Sequence, residues 1–242
     1  MTLAMALRAI DGLVLATDSR ITGRHGTADT SEKFLQVNRD IGVMTYGLAQ
    51  PGYEGISQLV VEVTQNKWAH FSKIADEAAV IFQNSCTSWL KRQKEERLCG
   101  VIGFILAGYD SLETNQFRIM HYEITPDPER PFRFTKKAFP GDLLAAQWHI
   151  ARYLLTKLYY PEITVNELAG LAVFIIAETM TVEETVGGPI QMATVSQTVG
   201  FQRVHEQDVV RLLQSHQKQF AHFRQICRSI AFEQPVVAGR RQ

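Results

Sequence analysis

Apolar and polar residues alternate along this 242-residue chain with two different periods, and the order of those periods outlines the architecture. LAMALRA and GLVLAT flank Ile10-Asp11-Gly12, where Asp-Gly predicts a hairpin because both positions tolerate positive φ. FLQVN and IGVMTYG flank Arg39-Asp40 in the same manner and predict a second antiparallel pair. From Gly55 to Phe71, and again from Ile74 to Gln93, apolar residues return at three- and four-residue spacing, as in Ile56, Leu59, Val60 and Val63, which predicts two long helices. CGVIGFILAGYD, QFRIMHYEI and FRFTKK restore the strand pattern as a meander. The spans Gly141 to Tyr159 and Val165 to Met180 read as helices, the second with Thr164 as N-cap and Glu167 as its capping-box partner. PIQMATVS and TVGFQRV form one more strand pair. A closing helix from Gln207 to Ile230 sets Val210, Leu213, Phe220, Phe223, Cys227 and Ile230 on or near one side.

Hairpins, two helices, a meander, two helices and strands again cannot make a doubly wound parallel sheet, which needs strand and helix to alternate singly. Two antiparallel sheets packed face to face, each covered outside by a helix pair, satisfy the order. The expectation is an α+β, four-layer αββα sandwich, as one domain over residues 1–242 with 206–232 as a C-terminal helical extension. Composition allows it, since a chain of this length that is 45% apolar and 21% charged can bury a full core. Lys plus Arg and Asp plus Glu stand at 25 each, so no net field draws the protein to nucleic acid or to an anionic membrane. LAGLAVFIIA is too short to span a bilayer, and the N-terminus has no basic, then apolar, targeting pattern. A cytoplasmic protein follows. Cys86, Cys99 and Cys227 lack CxxC spacing and no HExxH occurs, so neither a disulfide framework nor a metal or other cofactor is implied.

Thr2 lies directly behind Met1. A threonine hydroxyl is a poor nucleophile at neutral pH and needs an adjacent base. If Met1 is removed, the free α-amine of Thr2, with a reference pKa of roughly 7.7 to 8.0, lies near enough to neutral to take the Oγ proton. No internal threonine has that use. Lys33 would sit beside Thr2 if the second hairpin packs on the first, where its charge favours the attacking form, and Asp18 would compensate it.

The stretch TLAMALRAIDGLVLATDSRIT, continued by SEKF, IGVMTYGLA, ILAGYD, TVNELAGLAVFIIAET and VGGPIQM, resembles mature proteasome β-type subunits, a family of N-terminal nucleophile hydrolases. The resemblance runs from Thr2 to about Val195, and DG-x-V-x-A-x-DSR followed by a lysine strand and a Gly-x-Ala turn is its specific part. No helix precedes the first strand pattern, unlike the noncatalytic α-type subunits. Without a propeptide and with a long C-terminal helix, the chain is most similar to the bacterial proteasome-like group called Anbu.

The resemblance implies a threonine-type peptidase. Thr2 would be nucleophile and base, Asp18 and Lys33 the supporting ion pair, and the Gly47 N–H the oxyanion donor, with Glu183 where the family carries an aspartate. Arg20, Thr22, Ala49 and Tyr53 would bind substrate, the backbones of Thr22 and Ala49 holding an extended peptide as an added strand. Ile21, Leu35, Thr45 and Tyr53 fall where the family lines its specificity pocket. The implied partners are a peptide or protein substrate, further copies of the chain in a ring or helical assembly, and an unfoldase. Two departures bear on activity: Val186 falls where a supporting serine normally lies, and Asp142 replaces another serine of that network. A noncatalytic proteasome-like scaffold, and an amidase or transpeptidase of the same fold, stay open as alternatives.

Overall fold

The computed structural model describes residues 2–23, 26–29, 32–146 and 148–233. The chain runs β1 (Leu3–Arg8), β2 (Gly12–Thr17), β3 (Ile21–Gly23), β4 (Gly26–Ala28), β5 (Phe34–Gln36), β6 (Ile41–Gly47), then helices α1 (Ala49–Asn66) and α2 (Phe71–Gln93). A meander of β7 (Ile102–Asp110), β8 (Gln116–Thr125) and β9 (Arg133–Phe139) follows, then β10 (Leu143–Ala146), α3 (Trp148–Leu158) and α4 (Val165–Met180). The chain closes with β11 (Gln191–Ser196), β12 (Gly200–Arg203) and α5 (Glu206–Glu233). One five-stranded sheet has the order β10-β1-β2-β11-β12 and the other β5-β6-β7-β8-β9, every neighbour antiparallel. Helices α1 and α2 lie on the second sheet, α4 lies on β1 and β2 of the first, and α3 and α5 pack against α4. The fold is the α+β, four-layer arrangement that the element order requires.

Period-two alternation assigns each face. Leu3, Met5 and Leu7 of β1 join Val14 and Ala16 in the cluster under α4, whereas Ala4, Ala6, Leu13 and Leu15 face the second sheet across Phe34, Met44 and Ile105. The cluster beneath α1 and α2 centres on Phe82 and Phe104, stacked at 3.8 Å between centroids, with Tyr122 edge-on to Phe82 at 5.2 Å. Among the described residues no helix is long and apolar enough to cross a membrane.

Several boundaries differ from the periodicity, each for a tertiary reason. The span Gly141 to Tyr159 is not one helix: Leu143–Ala146 pairs with the free edge of β1, Leu3 opposite Ala146 and Ala6 opposite Leu143, and only Trp148–Leu158 is helical. A run of three buried apolar residues at 143–145 has no period that separates strand from helix, so the unfilled edge decides. Helix α1 starts at Ala49, six residues before Gly55, because Pro51 sits in its first turn, where its missing N–H costs nothing. It ends at a left-handed Lys67.

The Asp11-Gly12 turn is made without positive φ at either residue. Instead the Asp11 carboxylate accepts the Val165 N–H at 2.8 Å, and a Cβ on Gly12 would fall 2.4 Å from the Val195 carbonyl oxygen. The dipeptide therefore ties the first hairpin to the start of α4. There the capping box forms, Glu167 N–H reaching Thr164 Oγ1 at 3.4 Å and Thr164 N–H reaching Glu167 Oε2 at 2.9 Å. On α5, Val209 faces the core and Val210 is exposed, reversing the expected side, while Leu213 packs inward. The side chains of Phe220, Phe223, Cys227 and Ile230 lie outside the described residues.

Candidate active site

Two sheets ending side by side leave an opening, and each contributes two of the expected groups to it. Thr2 precedes β1 and Asp18 follows β2 on the first sheet; Lys33 precedes β5 and Gly47 ends β6 on the second. The Lys33 carbonyl accepts the Thr45 N–H at 2.8 Å and its own N–H reaches Gln191 Oε1 at 2.9 Å, which ties this residue to both sheets.

The Lys33 ammonium has three acceptors, one for each of its N–H bonds: Thr2 Oγ1 at 2.7 Å, the Arg20 carbonyl at 2.6 Å and Asp18 Oδ1 at 3.2 Å. Asp18 is surrounded in turn. Its Oδ1 also accepts the Leu3 N–H at 3.0 Å, and its Oδ2 accepts those of Gly187 at 3.1 Å and Arg20 at 3.2 Å. Thr2, Asp18 and Lys33 are all buried. Burial holds the Lys33 amine below its ordinary value against the pull of Asp18. The same burial raises the Asp18 carboxyl, with Lys33 and the Gly187 and Leu3 N–H groups drawing it partly back. A lysine that gives up its proton more readily than usual thus touches a threonine hydroxyl.

Gly47 is exposed at the opening with φ +89°, and a Cβ there would fall 2.0 Å from the Val101 carbonyl oxygen, so this position admits only glycine. A small open pocket lies in front of Thr2, with walls from Arg20, Ile21, Thr45, Tyr46, Ala49 and Tyr53. Leu35 packs instead against the cluster beneath α1. Thr22 is on β3, opposite Thr27 of β4. The Arg20 guanidinium is held bidentately by Asp29, at 2.8 and 3.0 Å, and donates to the Glu184 carbonyl at 2.8 Å.

Among the described residues, Glu183, Val186 and Asp142 make no hydrogen bond to Thr2, Asp18 or Lys33. The Glu183 carboxylate has no hydrogen-bonding partner among the described residues, its backbone closing the turn after α4 through Thr179 and Val186. Val186 is buried in the apolar cluster with Leu3 and Met5. Asp142 is not in the site: its Oδ1 accepts the Arg8 N–H at 2.6 Å, at the end of β1 opposite Thr2. The β10 pairing moved it there, since Ala146 and not Asp142 lies opposite Leu3.

Gly187, Arg20 through its carbonyl, and Gln191 are site residues that spacing did not single out. Gly187 receives the N–H groups of Ser19 at 3.2 Å and Arg20 at 2.9 Å while donating to Asp18. Its place in VGGPI was a visible trace, since paired glycines allow such backbone contact.

No family model matches the chain. It is 34% identical over 85 residues to proteasome subunit alpha of Methanosarcina acetivorans, covering 35% of this chain and 34% of that protein, and equally identical to its counterpart in Methanosarcina barkeri. The chain thus matches about a third of the length of these relatives. Among solved structures, the Anbu (Gly-1) mutant from Hyphomicrobium sp. strain MC1 is 16% identical, with a TM-score of 0.61 over 92% of this chain and 97% of that one. The αββα sandwich of this chain is therefore the fold of that Anbu structure.

Proposed function

We propose that this protein is a threonine-type peptidase or amide hydrolase whose nucleophile is Thr2 after removal of Met1. The observation that carries the reading is the buried contact of Lys33 Nζ with Thr2 Oγ1 at 2.7 Å, backed by Asp18 at 3.2 Å. The α-amine of Thr2 takes the hydroxyl proton as Oγ attacks an amide carbonyl. Lys33 favours the developing alkoxide and Asp18 holds Lys33. The oxyanion is met by the Gly47 N–H, the leaving amine departs protonated, and water then hydrolyses the ester on Thr2. An extended peptide lies along Thr22 and Ala49, with one side chain in the pocket of Ile21, Thr45 and Tyr53 and with Arg20 at its wall. Exposed apolar residues on the outer helices, Val61 on α1, Val80 on α2 and Tyr153 on α3, suit burial against further copies in a ring or helical homo-oligomer. The setting is cytoplasmic, with folded substrates supplied by an unfoldase.

The test is the intact mass of the protein before and after exposure to a β-lactone that acylates N-terminal threonines. A chain lacking Met1 that gains one adduct, mapped to Thr2, is the expected result. A second reading, a noncatalytic scaffold, is favoured by the apolar setting of Val186 and by a Glu183 carboxylate without a hydrogen-bonding partner among the described residues. Retention of Met1 with no adduct would establish it over the first.

A further inference from the structure

The residue before Gly47 is Tyr46, which lines the pocket although it is only 5% exposed. Its partner position on β7 is Gly103, where a Cβ would fall 1.9 Å from the tyrosine ring. The absence of a side chain there lets the ring lie across β7 and reach the next strand. On β8 the phenol meets two groups, His121 Nε2 at 2.7 Å and Glu123 Oε1 at 2.8 Å. The Tyr46 and His121 rings are nearly parallel, 6.0 Å apart at 15°, and Phe139 of β9 packs edge-on to His121 at 5.9 Å.

The protons can be assigned. Tyr46 donates to Glu123, so its oxygen is left to accept, and His121 donates from Nε2. The charged and titratable groups facing this cluster are Glu123 on its own strand and Lys137 on β9, the latter opposite His121 with its Nζ 4.9 Å from the Phe139 ring. Burial keeps His121 below its ordinary value and raises the Tyr46 phenol, so both serve as neutral donors near pH 7. Tyr46 is buried while His121 and Glu123 are half-buried, and a buried phenol costs stability unless it is satisfied. Nothing in the packing of the sheets calls for a phenol, an imidazole and a carboxylate here. What sets the place apart is that Tyr46 is bonded to Gly47.

We propose that Tyr46, His121 and Glu123 form a positioning unit in which the phenol, clamped behind Gly103 by the β8 pair, fixes the end of β6 and with it the Gly47 N–H. The proposal rests on the reading of Thr2 as a nucleophile with Gly47 as its oxyanion donor. Such a donor acts only when it is held to within tenths of an ångström of the developing charge.

The test is the rate of Thr2 acylation by the β-lactone, followed over a range of inhibitor concentrations in the full chain freed of Met1. Tyr46→Phe keeps the ring and removes both hydrogen bonds; it lowers the maximal rate by about tenfold and leaves the half-saturating concentration within about twofold. Glu123→Leu does the same. Glu123→Gln, whose amide oxygen accepts the same bond, restores most of that loss. If Tyr46→Phe fails to fold, the Glu123→Leu and Glu123→Gln pair carries the comparison. Equal losses in Leu and Gln variants, or wild-type rates in Tyr46→Phe and Glu123→Leu, overturn the unit and leave the nucleophile reading standing. A wild-type chain that takes no adduct overturns both.

Discussion

Two buried carboxylates, each paired with a base, sit in different parts of this molecule and behave in opposite ways. Asp110 ends β7, where its Oδ2 accepts Arg118 Nη1 and Thr114 Oγ1, each at 3.0 Å, and its Oδ1 accepts the Glu113 N–H at 3.2 Å. Burial pushes its carboxyl up, but these donors outweigh burial and the carboxyl lies below its ordinary value. At Asp18 burial wins, and its partner Lys33 is lowered as well. The difference lies in how deeply each pair, carboxylate and cation together, is buried. The Arg118 side chain is 30% exposed and rests over the Phe71 ring, whereas those of Lys33 and Asp18 are 6% and 0% exposed. A pair whose cation keeps water stabilises a turn. A pair buried on both sides is held under tension that chemistry can use.

The largest expected effect separates the pairs by activity. Lys33→Met should lower β-lactone acylation of Thr2 by at least about 10³-fold, while Asp110→Asn leaves it unchanged. The second is in stability, read from urea unfolding. Asp18→Ala strands a buried ammonium and the N–H groups of Leu3 and Gly187, a loss of about 3–5 kcal/mol. Asp110→Ala should cost about 1–3 kcal/mol, because Arg118 can turn to water.

The pH dependence distinguishes them by sign. Asp110, lowered on folding, contributes stability that is present above its unfolded value of about 3.9 and is lost as pH falls through its folded value, so Asp110→Asn flattens the acid limb of stability. Asp18, raised on folding, contributes stability that is present below the unfolded value and lost as pH rises through the folded one. Asp18→Asn should therefore flatten the limb above that range, and unfolding measured from about pH 2 to pH 7 checks both. The smallest effect tests a feature remote from either pair. Thr164→Ala removes the capping box of α4, for a loss of about 1 kcal/mol and no change in acylation.

The sandwich was legible because each layer carries its own period. Alternation along Leu3–Arg8 marks two buried faces, and the Thr164–Glu167 cap is a contact within one turn. Residues 143–146 were not legible, because a short apolar run becomes a strand only when an unpaired edge receives it. The same cause misplaced Asp142. In the candidate site, the types and spacing of Thr2, Asp18, Lys33 and Gly47 were legible, but Glu183 and Gly187 were not, since either end of the turn after α4 can face Asp18 and only its folding chooses the Gly187 N–H.

The sequence by itself determined most of the elements, their order and the chemical types available near the first hairpins, because periodicity, caps and turns act over a few residues. Tertiary structure alone decided that Lys33 lies 2.7 Å from Thr2 with Asp18 behind it, and that Tyr46 crosses Gly103 to reach β8. Those distances join strands of different sheets or non-neighbouring strands, and they exist only once packing has excluded water and set the charges against one another.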